Sequence, residues 1–159
     1  MAETLLPELN EQNAPPGTPL KPYDVTYAQA ELERFCGSTG EPLSSYAHAG
    51  ATYVPPGLLA RTYGPLIHET FHYTTGVHVS SDLTLRRPVL VGETLHVSGA
   101  IAEHFERNGN TYVRFSIVIE DDAGRPVANV EHVSIYALRP RGRPNPPTPF
   151  PAREGGVFG

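Results

Sequence analysis

His68-Glu69-Thr70-Phe71-His72 is the stretch in which residue type and spacing most directly suggest chemistry. Two histidines four apart on a helix share one face. With a glutamate beside the first, they form the H-E-x-x-H pattern in which the imidazoles hold zinc and the carboxylate acts as base. A zinc centre of that kind wants three protein ligands, an open position and second-shell partners. His78 is the nearest third candidate. It opens a stretch of strand-like alternation, so the pleat of a sheet sets its ring direction.

The motif resembles that of metzincin zinc proteases, with two departures. The glycine they need falls at Thr75, with Gly76 one place late, and the only methionine is Met1, so no downstream methionine turn exists. Phe71 and Tyr73 read as packing residues. The histidines are therefore expected at a surface or interface near a helix C-terminus, where positive charge is favoured. No metal and no cofactor are predicted. Cys36, the single cysteine, excludes an intrachain disulfide and reads as a packed core thiol. His96, His104 and His132 stand singly on strands and read as solvent-facing or interface residues. Asp82 and Arg86 lie close to the helix exit and read as a structural salt bridge, with a ligand-orienting pair as the alternative.

The elements that position these residues follow from periodicity. Pro22-Tyr23-Asp24-Val25 reads as a short edge strand, and Thr26 as the N-cap of a helix over Tyr27 to Cys36. Glu41 to Tyr53 is a loop. Pro55-Pro56-Gly57 then opens a helix whose Leu58, Leu59, Tyr63, Leu66 and Ile67 are apolar on more than one side, which places it inside something. From Val77 the period becomes two, most cleanly at Val113, Phe115, Ile117 and Ile119. Turns are expected around Gly92, at Asn108-Gly109-Asn110 and at Asp121 to Arg125. One buried helix ahead of long antiparallel strands gives an α+β fold, an antiparallel sheet wrapped around one central helix, which is the hot-dog arrangement.

Residues 1–20 carry prolines without periodicity and read as a flexible or wrapping N-terminal arm. Residues 21–138 form the single domain. Residues 139–159 are a Pro/Arg-rich tail, with a small basic clamp for a phosphate group, such as the nucleotide end of a coenzyme, as the alternative reading. The 159 residues carry 17 acidic and 12 basic side chains, a net charge of −5, which argues against a nucleic-acid partner. The N-terminus lacks the pattern of a signal peptide, and no apolar run approaches the roughly 20 residues of a membrane span. A soluble, cytoplasmic protein is expected.

Val54-Pro55-Pro56-Gly57-Leu58-Leu59 and Arg87-Pro88-Val89-Leu90-Val91-Gly92-Glu93-Thr94-Leu95 resemble the MaoC-like dehydratases, or R-specific enoyl-CoA hydratases. The likeness is strongest to their degenerate N-terminal-type and substrate-binding-subunit members. Active members carry Gly-Asp-x-Asn-Pro-aliphatic-His before the central helix. Here Gly40 to His48 reads G-E-P-L-S-S-Y-A-H, with Glu41 in the Asp slot, Tyr46 in the His slot and His48 two positions late.

The resemblance implies hydration or dehydration of an acyl thioester, an enoyl-CoA or a 3-hydroxyacyl-CoA or acyl-carrier-protein. Glu41, Tyr46 and His48 are then the catalytic candidates, and Pro56, Gly57, Leu58 and Leu59 contact the substrate at the helix N-terminus. It also implies a homodimer, or a heterodimer with another hot-dog subunit. A non-catalytic acyl-binding subunit is the alternative, and a hot-dog thioesterase a remoter one. Phenol is a poor base at neutral pH where imidazole is a good one.

Overall fold

A computed structural model of the protein describes residues 5–73 and 76–137. Its centre is the strand with the cleanest alternation, β6 (Asn110–Asp121), whose Val113, Phe115, Ile117 and Ile119 are fully buried on one face. β6 is flanked by β5 (Thr94–Arg107) and β7 (Pro126–Ala137), with β1 (Tyr23–Thr26) and β4 (Val77–Leu85) at the edges. The order is β1-β5-β6-β7-β4, antiparallel at every junction. A two-stranded hairpin, β2 (Ala47–His48) and β3 (Ala51–Thr52), stands apart from this sheet.

The helix expected over Tyr27 to Cys36 is α1 (Gln29–Thr39). Its cap is not Thr26, which lies in β1 with its hydroxyl 3.2 Å from that of Thr94. Ala28 takes the cap position, and the Glu31 carboxylate accepts its N–H at 2.9 Å. Leu32 and Cys36 are buried, the thiol packed as its position on the apolar face implies.

The central helix is broken. It forms α2 (Pro56–Leu59) and α3 (Tyr63–His68), and both contribute to the core through Leu59, Leu66 and Ile67. Pro65 explains the break, because it has no N–H to give to the Arg61 carbonyl and its ring crowds that turn. The chain tightens ahead of it. Arg61 N–H donates to Leu58 O at 3.1 Å, Thr62 N–H to Leu59 O at 3.2 Å, and the Thr62 hydroxyl to the same carbonyl at 2.8 Å. Pro65 then sits in a first turn, where a missing donor costs nothing.

Residues 5–20 wrap, so of the two readings of the arm the structure bears out the wrapping one and not the flexible one over that stretch. Leu9, Ala14 and Leu20 are buried. The strap pairs with β5 through Gly17 N–H to Ile101 O, Leu20 N–H to Gly99 O and Ile101 N–H to Thr18 O, all within 2.9 Å. Gly99 has no side chain for a physical reason: a Cβ there would stand 2.8 Å from the Ser116 carbonyl oxygen and 3.3 Å from Leu20. His104 fastens the strap by donating to Ala14 O at 2.6 Å, leaving its other nitrogen, 3.0 Å away, to accept the Tyr136 hydroxyl.

At the far end of the sheet, Asp121 is buried, its side chain 5% exposed. It accepts the N–H groups of Arg125 and Ala123 and the guanidinium of Arg87, which also holds Glu93. These bonds, Arg125 N–H foremost, hold its carboxyl down at about 2. Among the described residues no helix is long and apolar enough to cross a membrane. The Pro/Arg-rich tail, with its alternative as a basic clamp, lies outside the described residues.

Candidate active site

Gly40 closes α1 in the left-handed conformation, φ 74°, and turns the chain into a short 3-10 turn, Leu43–Tyr46. That turn brings Tyr46 back over Glu41, and its hydroxyl donates to Glu41 Oε2 at 2.5 Å. The bond raises the phenol to about 12, because losing the proton would set two anions against each other. Tyr46 is therefore a fixed donor across the physiological range and not a base. Glu41 is exposed, and among the described residues its other carboxylate oxygen has no hydrogen-bond partner. His48 is exposed on β2, and among the described residues no hydrogen bond joins it to Glu41 or Tyr46. Of the three catalytic candidates, the structure brings two together.

The four substrate-contact candidates make up α2. Pro56 and Gly57 are exposed, Leu58 is half-buried and Leu59 is buried. One turn of four residues sums few peptide dipoles, so this helix terminus carries little partial charge. Leu58 N–H donates to Pro55 O at 2.9 Å, and Pro56 has no N–H. Gly57 also packs closely on α1: a Cβ would meet the Phe35 ring at 2.7 Å. A hollow of about 200 Å³ lies between α1 and α2, lined by Glu31, Arg34, Phe35, Ser38, Leu58 and Arg61.

A second polar constellation lies on the inner face of β4 and β7. Ser81 is in register with His132, and His78 with Ser134. His78 and Ser81, three apart, would point to opposite faces of a regular strand. A bulge between His78 and Ser80 shifts the phase. His78 Nε2 then lies 3.0 Å from Ser81 Oγ, Ser81 Oγ 3.0 Å from His132 Nδ1, and His132 Nε2 2.7 Å from Ser134 Oγ. The Tyr63 ring of α3 stacks on that of His132, centroids 3.8 Å apart, and the His78 ring stacks on His132 at 5.0 Å. His132 is 1% exposed, and burial, with His78 adding to it, lowers its pKa to about 4. It is neutral at physiological pH.

The sequence matches no protein-family model and no curated protein. Solved structures match its fold. The (R)-hydratase from A. caviae involved in PHA biosynthesis aligns with a TM-score of 0.61 at 16% identity, over 78% of this chain and 98% of that one. The HadBC (3R-hydroxyacyl-ACP dehydratase) complex from Mycobacterium tuberculosis gives 0.66 at 16% identity, over 76% and 96%. A MaoC-like dehydratase from Rhodospirillum rubrum gives 0.61 at 15% identity, over 84% and 99%. The fold is the hot-dog fold.

Within the hot-dog sheet, His132 corrects the expectation of solvent-facing strand histidines. The signal that finds it is its phase: Ala128, Val130 and His132 share the inward face of β7. The H-E-x-x-H stretch, by contrast, does not hold together. α3 ends at His68, so His72 is not on its face. His72 instead continues the strap, its N–H donating to Pro7 O and its carbonyl accepting Leu9 N–H. Glu69 pairs with Lys21 at 2.9 Å, and His68 stacks on Tyr73. Among the described residues, Asp82 and Arg86 form no ion pair, contrary to expectation; both are exposed.

Proposed function

We propose that this chain is a MaoC-like hydro-lyase that hydrates an enoyl thioester, or dehydrates the corresponding 3-hydroxyacyl-CoA or 3-hydroxyacyl-carrier-protein. The observation that carries the reading is the Glu41–Tyr46 pair, set in the loop ahead of the central helix of a hot-dog fold. In this reading Tyr46 fixes the Glu41 carboxylate, which takes a proton from water as the oxygen bonds to the β-carbon. His48, the nearby imidazole, serves the α-carbon proton. Pro56, Gly57, Leu58 and Leu59 contact the acyl group, with the Gly57 N–H toward the thioester carbonyl.

Loss of the conjugated enoyl absorbance of crotonyl-CoA measures this activity. Glu41→Gln, which keeps the shape and removes the base, is expected to lower turnover by about 100-fold. Turnover unchanged in that variant overturns the assignment of Glu41.

One observation favours a second reading. Tyr46, held protonated by Glu41, stands where active family members have an imidazole. A non-catalytic acyl-binding subunit that pairs with an intact hot-dog partner accounts for it, and the match to the HadBC complex is consistent with that. Activity that appears only when the two chains are mixed supports this version. Turnover by the purified chain alone excludes it.

A further inference from the structure

We infer that Ser81 is a nucleophile, activated by His78 and oriented by His132, and that it accepts the acyl group of a thioester to form an acyl-enzyme. The choice of a thioester rests on the proposed function above, whereas the reactivity of Ser81 does not. Nucleophilic serines are recognised by a base within hydrogen-bond reach and a further group that fixes the geometry. Ser81 has an imidazole at 3.0 Å on each side.

The two imidazoles are not equivalent. A hydroxyl carries one proton, so Ser81 donates to one ring and accepts from the other. His132 is sealed between Tyr63 and the sheet, stays neutral, and has Ser134 against Nε2 at 2.7 Å. With Ser134 donating to Nε2, the His132 proton sits on Nδ1 and is given to Ser81 Oγ. Ser81 then donates to His78 Nε2, and His78 is exposed at the rim. The charged neighbours along the strands face away: Asp82 and Glu131 are in register with each other one residue along, on the opposite face, where Glu131 accepts the Ser116 hydroxyl. The titratable groups facing the site are thus Tyr63, His78 and His132.

The bulge that turns His78 toward Ser81 is what assembles the group, and bulges recur beside active sites. β4 is the strand at one edge of the sheet. The half-buried Ser81 lies on this edge, and α2, the proposed acyl-contacting turn, packs against the same strand.

The step balances. Ser81 Oγ bonds to the thioester carbonyl carbon as its proton passes to His78 Nε2. The carbon–sulfur bond breaks, and the thiolate leaves as thiol with that proton. Water then gives a proton to His78 and its oxygen to the acyl carbon. Ser81 regains its hydrogen, and a free carboxylic acid departs. His132 and Ser134 are positioning residues throughout.

The experiment uses the full chain and a fluorophosphonate probe, which labels an activated serine oxygen with loss of fluoride, followed by peptide mass mapping. The expected result is one label, on Ser81, lost in Ser81→Ala and reduced by about 100-fold in His78→Ala. His132→Asn keeps an N–H toward Ser81 and is expected to retain labelling within about tenfold, whereas His132→Leu loses it. Folding of each variant is checked by circular dichroism, and Ser81→Cys, labelled with an iodoacetamide in its place, covers a Ser81→Ala chain that fails to fold. Absence of label on Ser81 in the wild-type chain overturns the proposal. So does equal labelling of Ser81 with and without the His78 imidazole. Neither result depends on crotonyl-CoA turnover, so failure here is separable from failure of the hydro-lyase reading. With Ser81 labelled, thiol release from acyl-CoA that is lost in Ser81→Ala identifies the thioester as substrate. Labelling without any thiol release overturns the substrate class.

Discussion

Two histidine clusters in this molecule teach opposite lessons. His68, Glu69 and His72 are close in sequence and match a metal-binding pattern, yet the helix ends at His68: His68 stacks on Tyr73, Glu69 pairs with Lys21, and His72 bonds through its backbone. His78, Ser81, His132 and Ser134 match no pattern and span more than fifty positions, yet they form one hydrogen-bonded chain under Tyr63. Spacing along the chain implies proximity only while a single element lasts. Strand register brings together residues that no local motif joins.

The largest expected difference between the clusters is in stability. His132→Ala leaves a cavity beneath Tyr63 and strips Ser81 and Ser134 of a shared partner, at an expected cost of about 2–4 kcal/mol. His72→Ala keeps the backbone bonds by which His72 holds the strap and is expected to cost under about 0.5 kcal/mol. Urea unfolding of both variants checks this, and equal losses would erase the contrast.

A pH series sharpens it. The folded pKa of His132, about 4, lies below its unfolded value near 6.5, so between them the unfolded chain binds the extra proton. Stability attributable to the neutral ring is complete above about 6.5, falls as the pH drops, and levels off below 4. The swing is on the order of 3 kcal/mol. Asp121 has the usual carboxylate sign and a lower window: its contribution is complete above about 4 and lost as the pH falls through about 2. Chemical denaturation between pH 7 and pH 4.5 should therefore show a loss that His132→Leu abolishes. A wild-type curve flat over that range would contradict the buried, neutral state of His132.

The smallest effect concerns metal. Protein purified without a polyhistidine tag is expected to carry no stoichiometric zinc by elemental analysis, since His68 and His72 do not share a helix face. About one zinc per chain, lost in His72→Ala, would return the helix-spaced cluster to the centre of the chemistry.

The clusters also mark how far a linear reading reaches. Alternation at Val113, Phe115, Ile117 and Ile119 identified the central strand and its buried face, because burial on one side of a pleat writes itself in steps of two. The helix interruption was present in the sequence as Pro65, yet the apolar residues on both sides of it read as one continuous helix. In the loop, Glu41 and Tyr46 meet because one 3-10 turn carries the chain back over the five residues between them, a contact the family slots alone did not imply. His48, two residues further on, lies past that turn on its own short hairpin and makes no bond to the pair.

The sequence by itself determined the strands, the principal turns and the class of fold, all of which depend on residues near one another along the chain. Tertiary structure alone decided that the N-terminal strap packs on β5, that Gly99 must be bare, and that His78 faces inward. It also decided that a lone strand histidine becomes a buried, neutral ring. The reason is physical: burial, pKa and hydrogen-bond partnership are properties of a residue's surroundings, and those are supplied by strands and helices distant in sequence, whose register and bulges no local pattern encodes.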